Sequence, residues 1–179
     1  MKKVNVTSAG AGQNLAEAET PAVWEVEEKG RVILFSYGSE TSGILFSWVA
    51  SEDKPWVNLL QDFSDMTVEY IKENVRKVRQ QGDMVIASIH WGSNWGYEIP
   101  RKQTEFAHEL IDTAGVDIVH GHSSHHVMGI EVYKDKPVIY GCGDFLNDYE
   151  GIGGYEDFRA DLALMYFVSV DPSTGKLVC

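Results

Sequence analysis

The chain has few basic residues and few cysteines. It carries 15 Lys and Arg against 27 Asp and Glu, which gives a formal net charge of −12. Because proteins hold a nucleic-acid backbone with clustered Lys and Arg, this balance predicts no nucleic-acid partner. Cys142 and Cys179 are too few for a disulfide framework, and nothing supports a bond between them. We therefore expect a reducing compartment, with the cytoplasm as the default location.

The chain also lacks long apolar runs and two common hydrolase signatures. No stretch approaches the ~20 apolar residues of a membrane helix. The start, Met1-Lys2-Lys3, is not followed by the apolar region of a signal peptide. The sequence therefore predicts neither a membrane segment nor a leader in this chain. The absence of a His-Glu-x-x-His helix and of a Gly-x-Ser-x-Gly turn argues against a common metalloprotease and a serine hydrolase.

What is present is the pattern of one α/β domain. With 179 residues and 44% hydrophobic content, the chain can bury a core. Periodic apolar positions predict helices over residues 64–81 and 100–115, and continuous apolar runs predict buried strands at 84–89 and 117–120. Further strands are expected at 22–26, 31–37, 129–133, 137–140 and 162–170. Strand–helix–strand units mixed with hairpins indicate an α/β sandwich with a mixed sheet. Trp48 and Trp56 are expected to attach the irregular stretch 47–62 to the core.

Three histidines stand where two predicted strands end. His90 closes the first strand in His90-Trp91-Gly92, and His122 and His125 follow the second in Gly121-His122-Ser123-Ser124-His125-His126. Open α/β folds place ligands at this edge of the sheet, and imidazole is the commonest metal ligand among side chains. The pattern predicts a site for a divalent metal, Zn, Mn or Fe, with one or two ions. A polar loop without metal is the alternative, and His126 competes with His125 as ligand.

Several neighbours are weaker candidates. Asn94 and Glu98 lie in the loop after His90, and either could orient a substrate or a ligand. Asp144, between the predicted hairpin and an acidic loop, could orient a ligand histidine or cap a turn. Packing or structural roles are the first expectation for His120, Trp91 and Trp95, and a surface or packing role for His108. The acidic residues Asp148, Glu150, Glu156 and Asp157 are expected to form a solvated mobile loop.

A series of motifs in a fixed order resembles the bacterial capsule-synthesis CapA family. The motifs are His90-Trp91-Gly92, the segment 103–115, the segment 116–126, Gly129-Ile130-Glu131-Val132-Tyr133 and the segment 139–145. The opening residues 10–18 fit a segment from the middle of that family's domain. The family is associated with poly-γ-glutamate capsule production, and its domain resembles the calcineurin-like metallophosphatases. The resemblance implies that residues 1–179 are the C-terminal part of such a domain.

The chain departs from the family pattern at and around the site. Gly-His-His-Pro-His becomes Gly121-His122-Ser123-Ser124-His125, and Asp144 stands where many relatives have Asn. Asn94 replaces a carboxylate, unless Glu98 substitutes for it through a longer loop. The Gly-Asp, Asn-Leu-Glu and Asn-His motifs, which supply carboxylate and amide ligands in the family, do not occur before Gly10. The resemblance therefore implies the histidine side of a metal site, held by His90, His122 and His125, with Asn94 and Asp144 positioning substrate or ligands.

The implied function is that of a metal-dependent hydrolase acting on a phosphoester or an amide, with a small-molecule or polyglutamate-type substrate. We expect that activity of the parent protein, and little or none of these residues alone. The alternative is a non-catalytic scaffold or binding module, with a degenerate metal site, in a complex that synthesises an envelope polymer. In either case envelope-synthesis partners are implied, and the parent protein could be associated with the envelope.

Overall fold

The computed structural model describes residues 6–146 and 153–178. The start Met1-Lys2-Lys3, the acidic residues Asp148 and Glu150, and Cys179 lie outside this range, so the expectations about them stay predictions. Within the described range the chain forms a mixed α/β structure built on one seven-stranded sheet and a separate two-stranded one. This confirms the α/β sandwich with a mixed sheet. No helix in this range is long and apolar enough to span a bilayer.

The elements follow one another in the order that the sequence predicts, with a few additions. The strands are β1 (Ala11–Gly12), β2 (Ala22–Val26), β3 (Gly30–Ser39), β4 (Trp56–Val57), β5 (Leu59–Leu60), β6 (Met84–His90), β7 (Ile118–His122), β8 (Ile130–Tyr133) and β9 (Lys136–Ile139). The helices are α1 (Leu15–Glu19), α2 (Asp65–Val78) and α3 (Arg101–Asp112). The additions are α1 and the short strands β1, β4 and β5.

The main sheet has a parallel centre and antiparallel edges. Its order is β2-β3-β6-β7-β9-β8, with β5 beside the end of β3. The neighbours β3, β6, β7 and β9 run parallel, whereas β2 and β8 run antiparallel to β3 and β9. The carboxyl ends of β6 and β7 therefore meet at one edge of the sheet, where the loops carrying the predicted site begin.

Both long helices cover the same face of the sheet. Alternate strand residues, among them Val85, Ala87, Ile89 and Val119, join the apolar faces of α2 and α3 in one buried core. The core residues of the helices are Val68, Ile71, Val75, Phe106, Ala107, Leu110 and Ile111. The 3.6-residue spacing of these side chains is what predicted the helices.

The opposite face of the sheet carries polar side chains near the carboxyl ends of β6 and β7. Because successive strand residues point to opposite faces, the positions between the core residues share the face without helices. Towards the carboxyl ends these are Ser88 and His90 on β6 and His120 and His122 on β7, whereas Ile86 lies on the same face nearer the start of β6. The register pairs Ser88 with His120 and His90 with His122, so four polar side chains form a compact block near the edge.

Two predictions about local structure are wrong. Residues 162–170 form no strand: among the described residues the segment makes single contacts, such as Leu164 N–H donating to Cys142 O at 2.9 Å, and one isolated bridge at Val170. β2 and β8 are the edge strands among the described residues, yet the segment forms a ladder with neither of them. Trp48 and Trp56 do not attach to the core. They are 44% and 46% exposed and stack on each other, with 5.9 Å between ring centroids.

Candidate functional site

His90 and His122 lie side by side at the carboxyl edge of the sheet. They are paired residues of β6 and β7, and their ring centroids are 5.0 Å apart. The two Nδ1 atoms are 3.0 Å apart, so one ring donates a hydrogen bond and the other accepts it. The structure thus brings together two of the three histidines that the sequence selected.

The surroundings of these rings favour the neutral form. Burial lowers the pKa of His122 to about 4, and the neighbouring His90 and His120 add to this effect. Burial also lowers the pKa of His90, with a smaller contribution from His125. A neutral imidazole has a lone pair that can bind a metal ion, whereas an imidazolium does not, so both rings are in a metal-binding form at neutral pH.

His125 reaches the same region from the loop after β7. Ser123 turns the chain there with a φ of 136°, a strained value for a residue other than glycine. The backbone N–H of His125 then donates to the backbone carbonyl of Asn94 at 3.1 Å. This hydrogen bond joins the loop after β7 to the loop after β6. His125 Nδ1 donates to Asp144 Oδ2 at 2.7 Å, which fixes the tautomer that keeps its lone pair on Nε2. A carboxylate on the far nitrogen is the usual partner of a metal-ligating histidine.

His126 points into a different environment. It is completely buried and packs against the rings of Trp95, Tyr97 and Phe158 at 4.8 to 6.0 Å between centroids. Its Nδ1 lies 3.0 Å from Val127 O, and its Nε2 has no hydrogen-bond partner among the described residues. His126 thus packs in a cluster of aromatic rings, whereas His125 contacts the carboxylate of Asp144. The geometry therefore favours His125 over His126 as a candidate ligand.

The donors partly fit a divalent metal ion. Two imidazole nitrogens bound to one tetrahedral ion at about 2.0–2.1 Å are about 3.3 Å apart, close to the separation of the Nδ1 atoms of His90 and His122. However, no three His, Cys, Asp or Glu side chains in residues 6–146 and 153–178 converge closely enough to hold one ion. Two nitrogen atoms therefore have the spacing of ligands to one ion, and His125 lies in the loop beside them.

The other candidates take up different positions. Asn94 and Glu98 are exposed, and Asn94 contributes its backbone carbonyl rather than its side chain to the contact with His125. Trp91 is a core residue, 2% exposed, and its indole N–H donates to Tyr140 O at 3.2 Å. Trp95 lies between the histidine loop and Tyr155, with 4.1 Å between their ring centroids. Glu156 and Asp157 belong to a short 3-10 helix, and both are exposed.

His108 has the structural role that was expected for a helix histidine. It stacks on Tyr133 with 3.7 Å between the ring centroids. Its Nε2 lies 2.9 Å from Glu131 Oε1. These contacts join α3 to β8, away from the edge that carries His90 and His122.

The sequence analysis missed the partners of His120. His120 Nδ1 lies 3.0 Å from Ser88 Oγ, and its Nε2 lies 3.6 Å from Cys142 Sγ. Burial lowers the pKa of His120 and raises the pKa of Cys142, so both groups stay neutral at pH 7. The alternation Ser88-x-His90 and His120-x-His122 was a usable signal, since it places all four side chains on one face.

A cavity of about 720 Å³ lies on the other side of this edge. It is lined by residues of the loop after β3 and of the starts of α2 and α3, among them Thr41, Phe63, Lys102 and Glu105. None of the histidines contributes to its wall. The histidine block therefore opens at the edge of the sheet and not into this cavity.

Comparison with known proteins finds relatives that are named for capsule or polyglutamine synthesis. The model of the bacterial capsule synthesis protein PGA_cap matches residues 1–149. A probable polyglutamine synthesis accessory protein of Mycobacterium tuberculosis is 47% identical over 174 residues, which is 97% of this chain and 46% of that protein. The PGA biosynthesis protein CapA of Bacillus subtilis is 28% identical over 97% of this chain and 42% of its own length. The capsule biosynthesis protein CapA of Bacillus anthracis is 24% identical over 82% of this chain and 34% of its own length.

The chain thus spans about half the length or less of these curated relatives. The match over most of its residues shows that the chain belongs to the bacterial capsule synthesis protein family PGA_cap.

Proposed function

We propose that this chain contributes the histidine side of a divalent-metal site in a hydrolase that serves capsule or polyglutamate synthesis. His90 and His122 would hold the ion through Nδ1, and His125 would do so through Nε2. The remaining ligands would come from outside this set, since the described part of the chain offers no third donor close enough to the pair. A phosphoester and a polyglutamate-type amide are the two candidate substrates.

The observation that carries the proposal is the separation of 3.0 Å between the Nδ1 atoms of two neutral imidazoles. Burying two imidazoles against each other offers little stability in itself, because each ring loses hydration and gains one shared hydrogen bond. The arrangement is better explained by a ligand that both nitrogens bind. The hydrogen bond from His125 to Asp144 supports the same interpretation.

The chain's own residues would have distinct roles in such a site. A bound divalent ion polarises a carbonyl or phosphoryl oxygen and lowers the pKa of its water to about 7. Asp144 would keep His125 in one tautomer and orientation. The exposed Asn94 amide, next to His125 in space, would donate to a substrate oxygen. Since the chain has a net charge of −12, an anionic substrate would depend on the ion for attraction.

Metal content tests this proposal directly. The purified chain, after incubation with Zn²⁺, Mn²⁺ or Fe²⁺ and gel filtration, is analysed for bound metal beside the His122→Ala/His125→Ala variant. We expect bound Mn²⁺ or Fe²⁺ in the parent chain and its loss in the double variant, with a reduced content of Zn²⁺ in that variant. His108→Ala is the matched control, since His108 is also half-buried but pairs with Glu131 away from the site. Metal bound equally by all three chains would contradict the proposal, because surface carboxylates would then be the ligands.

A non-catalytic role is the second candidate. It is favoured by the word accessory in the name of the Mycobacterium tuberculosis relative and by the absence of a third converging donor in the described residues. In this case the chain would be a binding module that contacts other components of a polymer-synthesis complex. A full-length parent protein that hydrolyses neither phosphoesters nor γ-glutamyl amides, although it is loaded with metal, would favour this candidate.

A further inference from the structure

A thiol and an imidazole form a second donor pair beside the proposed histidine site. Cys142 Sγ lies 3.6 Å from His120 Nε2. Both residues are partly buried, and neither has a role in the function proposed above. A hydrogen bond from thiol to imidazole accounts for the contact itself, and the same two atoms are both metal ligands in proteins.

Both partners are fixed by their neighbours. His120 is oriented by Ser88, whose hydroxyl oxygen lies 3.0 Å from Nδ1 and which is only 7% exposed. With Nδ1 as the donor to Ser88, the lone pair of His120 is on Nε2, facing the thiol. Cys142 lies between two glycines that admit no side chain. A Cβ at Gly141 would come within 2.3 Å of Ser124 Oγ, and one at Gly143 within 2.8 Å of Leu162 O.

We propose that Cys142 and His120 bind a thiophilic divalent cation of the Zn²⁺ or Cd²⁺ type, at a position separate from the His90–His122 pair. The distance fits this role, because a sulfur at about 2.3 Å and a nitrogen at about 2.0–2.1 Å from one tetrahedral ion are about 3.5 Å apart. On binding, the thiol loses its proton to the solvent and the thiolate forms the bond to the ion. The lone pair of His120 Nε2 supplies the second protein ligand, and water fills the other positions.

The chemistry of the two pairs differs. A thiolate selects soft and borderline ions, whereas two imidazoles also accept harder ones such as Mn²⁺ and Fe²⁺. The rings of His120 and His122 are 5.5 Å apart, close enough for ions at both positions to influence each other. The pair would therefore add a thiolate-selective position to the edge where the proposed catalytic ion binds.

Cadmium titration tests the inference with a readout that belongs to the thiolate alone. The metal-free chain carries Cys179→Ser, so that Cys142 is its single thiol, and is kept reduced without added thiols. Cd²⁺ alone is added, and the thiolate-to-cadmium charge-transfer absorption is recorded. We expect a band that saturates at one Cd²⁺ per chain, no band in Cys142→Ser, and an apparent Kd at least tenfold higher in His120→Asn. Ser88→Ala should weaken binding to a smaller degree, through loss of orientation.

Controls separate this site from the histidine site and from misfolding. Circular dichroism and thermal unfolding of each variant establish that it is folded before it is titrated. The band should persist in the His90→Ala variant, which removes only the other pair. Absence of the band in the parent chain, an unchanged Kd in folded His120→Asn, or loss of the band in folded His90→Ala would each overturn the inference. Loss of the band in His90→Ala would leave the proposed function intact, because a single ion would then be bound by both pairs of residues.

Discussion

Three half-buried imidazoles in one block make the histidine edge sensitive to acid. His90, His120 and His122 all have lowered pKa values, with burial as the largest cause in each. For His122 the folded value is about 4, against 6.5 for the unfolded chain. Between these values the unfolded chain binds more protons than the folded one, so stability falls as the pH is lowered from 6.5 to 4.

We therefore predict that the free energy of unfolding rises with pH over this window and that His122→Gln reduces the slope. Each such histidine contributes at most about 1.4 kcal/mol per pH unit. Urea unfolding of both chains at several pH values between 4 and 7 measures the difference. Equal slopes for the parent chain and the variant would show that His122 is protonated as easily in the folded state as in the unfolded one.

The contact between His125 and Asp144 predicts a graded effect on metal binding. Asp144→Asn keeps the size of the side chain but replaces a carboxylate acceptor with an amide, which holds the His125 tautomer less firmly. Loss of such a partner typically costs 10–100-fold in metal affinity, so we expect a change of about that size. Competition with a chromogenic chelator measures the affinity, and Asp157→Asn, an exposed acid, is the control. An unchanged affinity in Asp144→Asn would exclude Asp144 as a positioning residue for a metal ligand.

One buried carboxylate joins several elements at the opposite edge of the sheet. Asp117, just before β7, is 1% exposed. It accepts hydrogen bonds from Arg79 after α2 at 2.9 Å and from Lys136 of β9 at 2.7 Å. The N–H of Val85 on β6 donates to it at 2.9 Å. The carboxylate of Asp117 thus links the end of α2 to the strands β6 and β9.

Removal of this carboxylate should destabilise the whole fold. Asp117→Ala leaves the buried N–H of Val85 without its acceptor and leaves Arg79 and Lys136 with backbone carbonyls only, without a counter-charge. Breaking such a buried pair costs about 3–5 kcal/mol. Glu105→Ala, which breaks the exposed pair with Arg101 on α3, should cost less than about 1 kcal/mol. Equilibrium unfolding in urea compares the two. A similar small loss in both variants would mean that water replaces the carboxylate of Asp117.

The sequence predicted the elements whose pattern is local. Helices α2 and α3 follow from apolar residues at 3.6-residue spacing, and β6 from one continuous apolar run. The strand expected over residues 162–170 did not form, although β2 and β8 are edge strands, because an apolar pattern does not specify which partner strand the segment would pair with. Trp48 and Trp56 failed for a related reason, since hydrophobicity predicts burial on average and cannot show which surface is available.

The candidate site was likewise predictable only where it depends on a local pattern in the sequence. The positions of His90 and His122 at the ends of two predicted strands indicated that they lie together, and the register of β6 and β7 pairs them. The partners that come from distant parts of the chain, Cys142 on His120 and Asp144 on His125, depend on the path of the loop after β9. Their selection among several candidates required the fold, because loop geometry is not encoded in a periodic pattern.

The molecule leaves an apolar segment exposed on its surface. Leu162, Leu164, Met165 and Phe167 are between 46% and 85% exposed, and this extended stretch forms no strand ladder with any described residue. Exposed apolar side chains on extended backbone promote association between molecules.

We predict that the chain self-associates at increasing concentration and that Leu164→Lys/Phe167→Lys shifts it towards the monomer, as measured by sedimentation velocity. Met66→Lys is the matched control, since Met66 is 83% exposed but stands on the regular helix α2. If the double variant associates as strongly as the parent chain, the contact surface lies elsewhere, and the exposed aromatic pair Trp48 and Trp56 becomes the next surface to change.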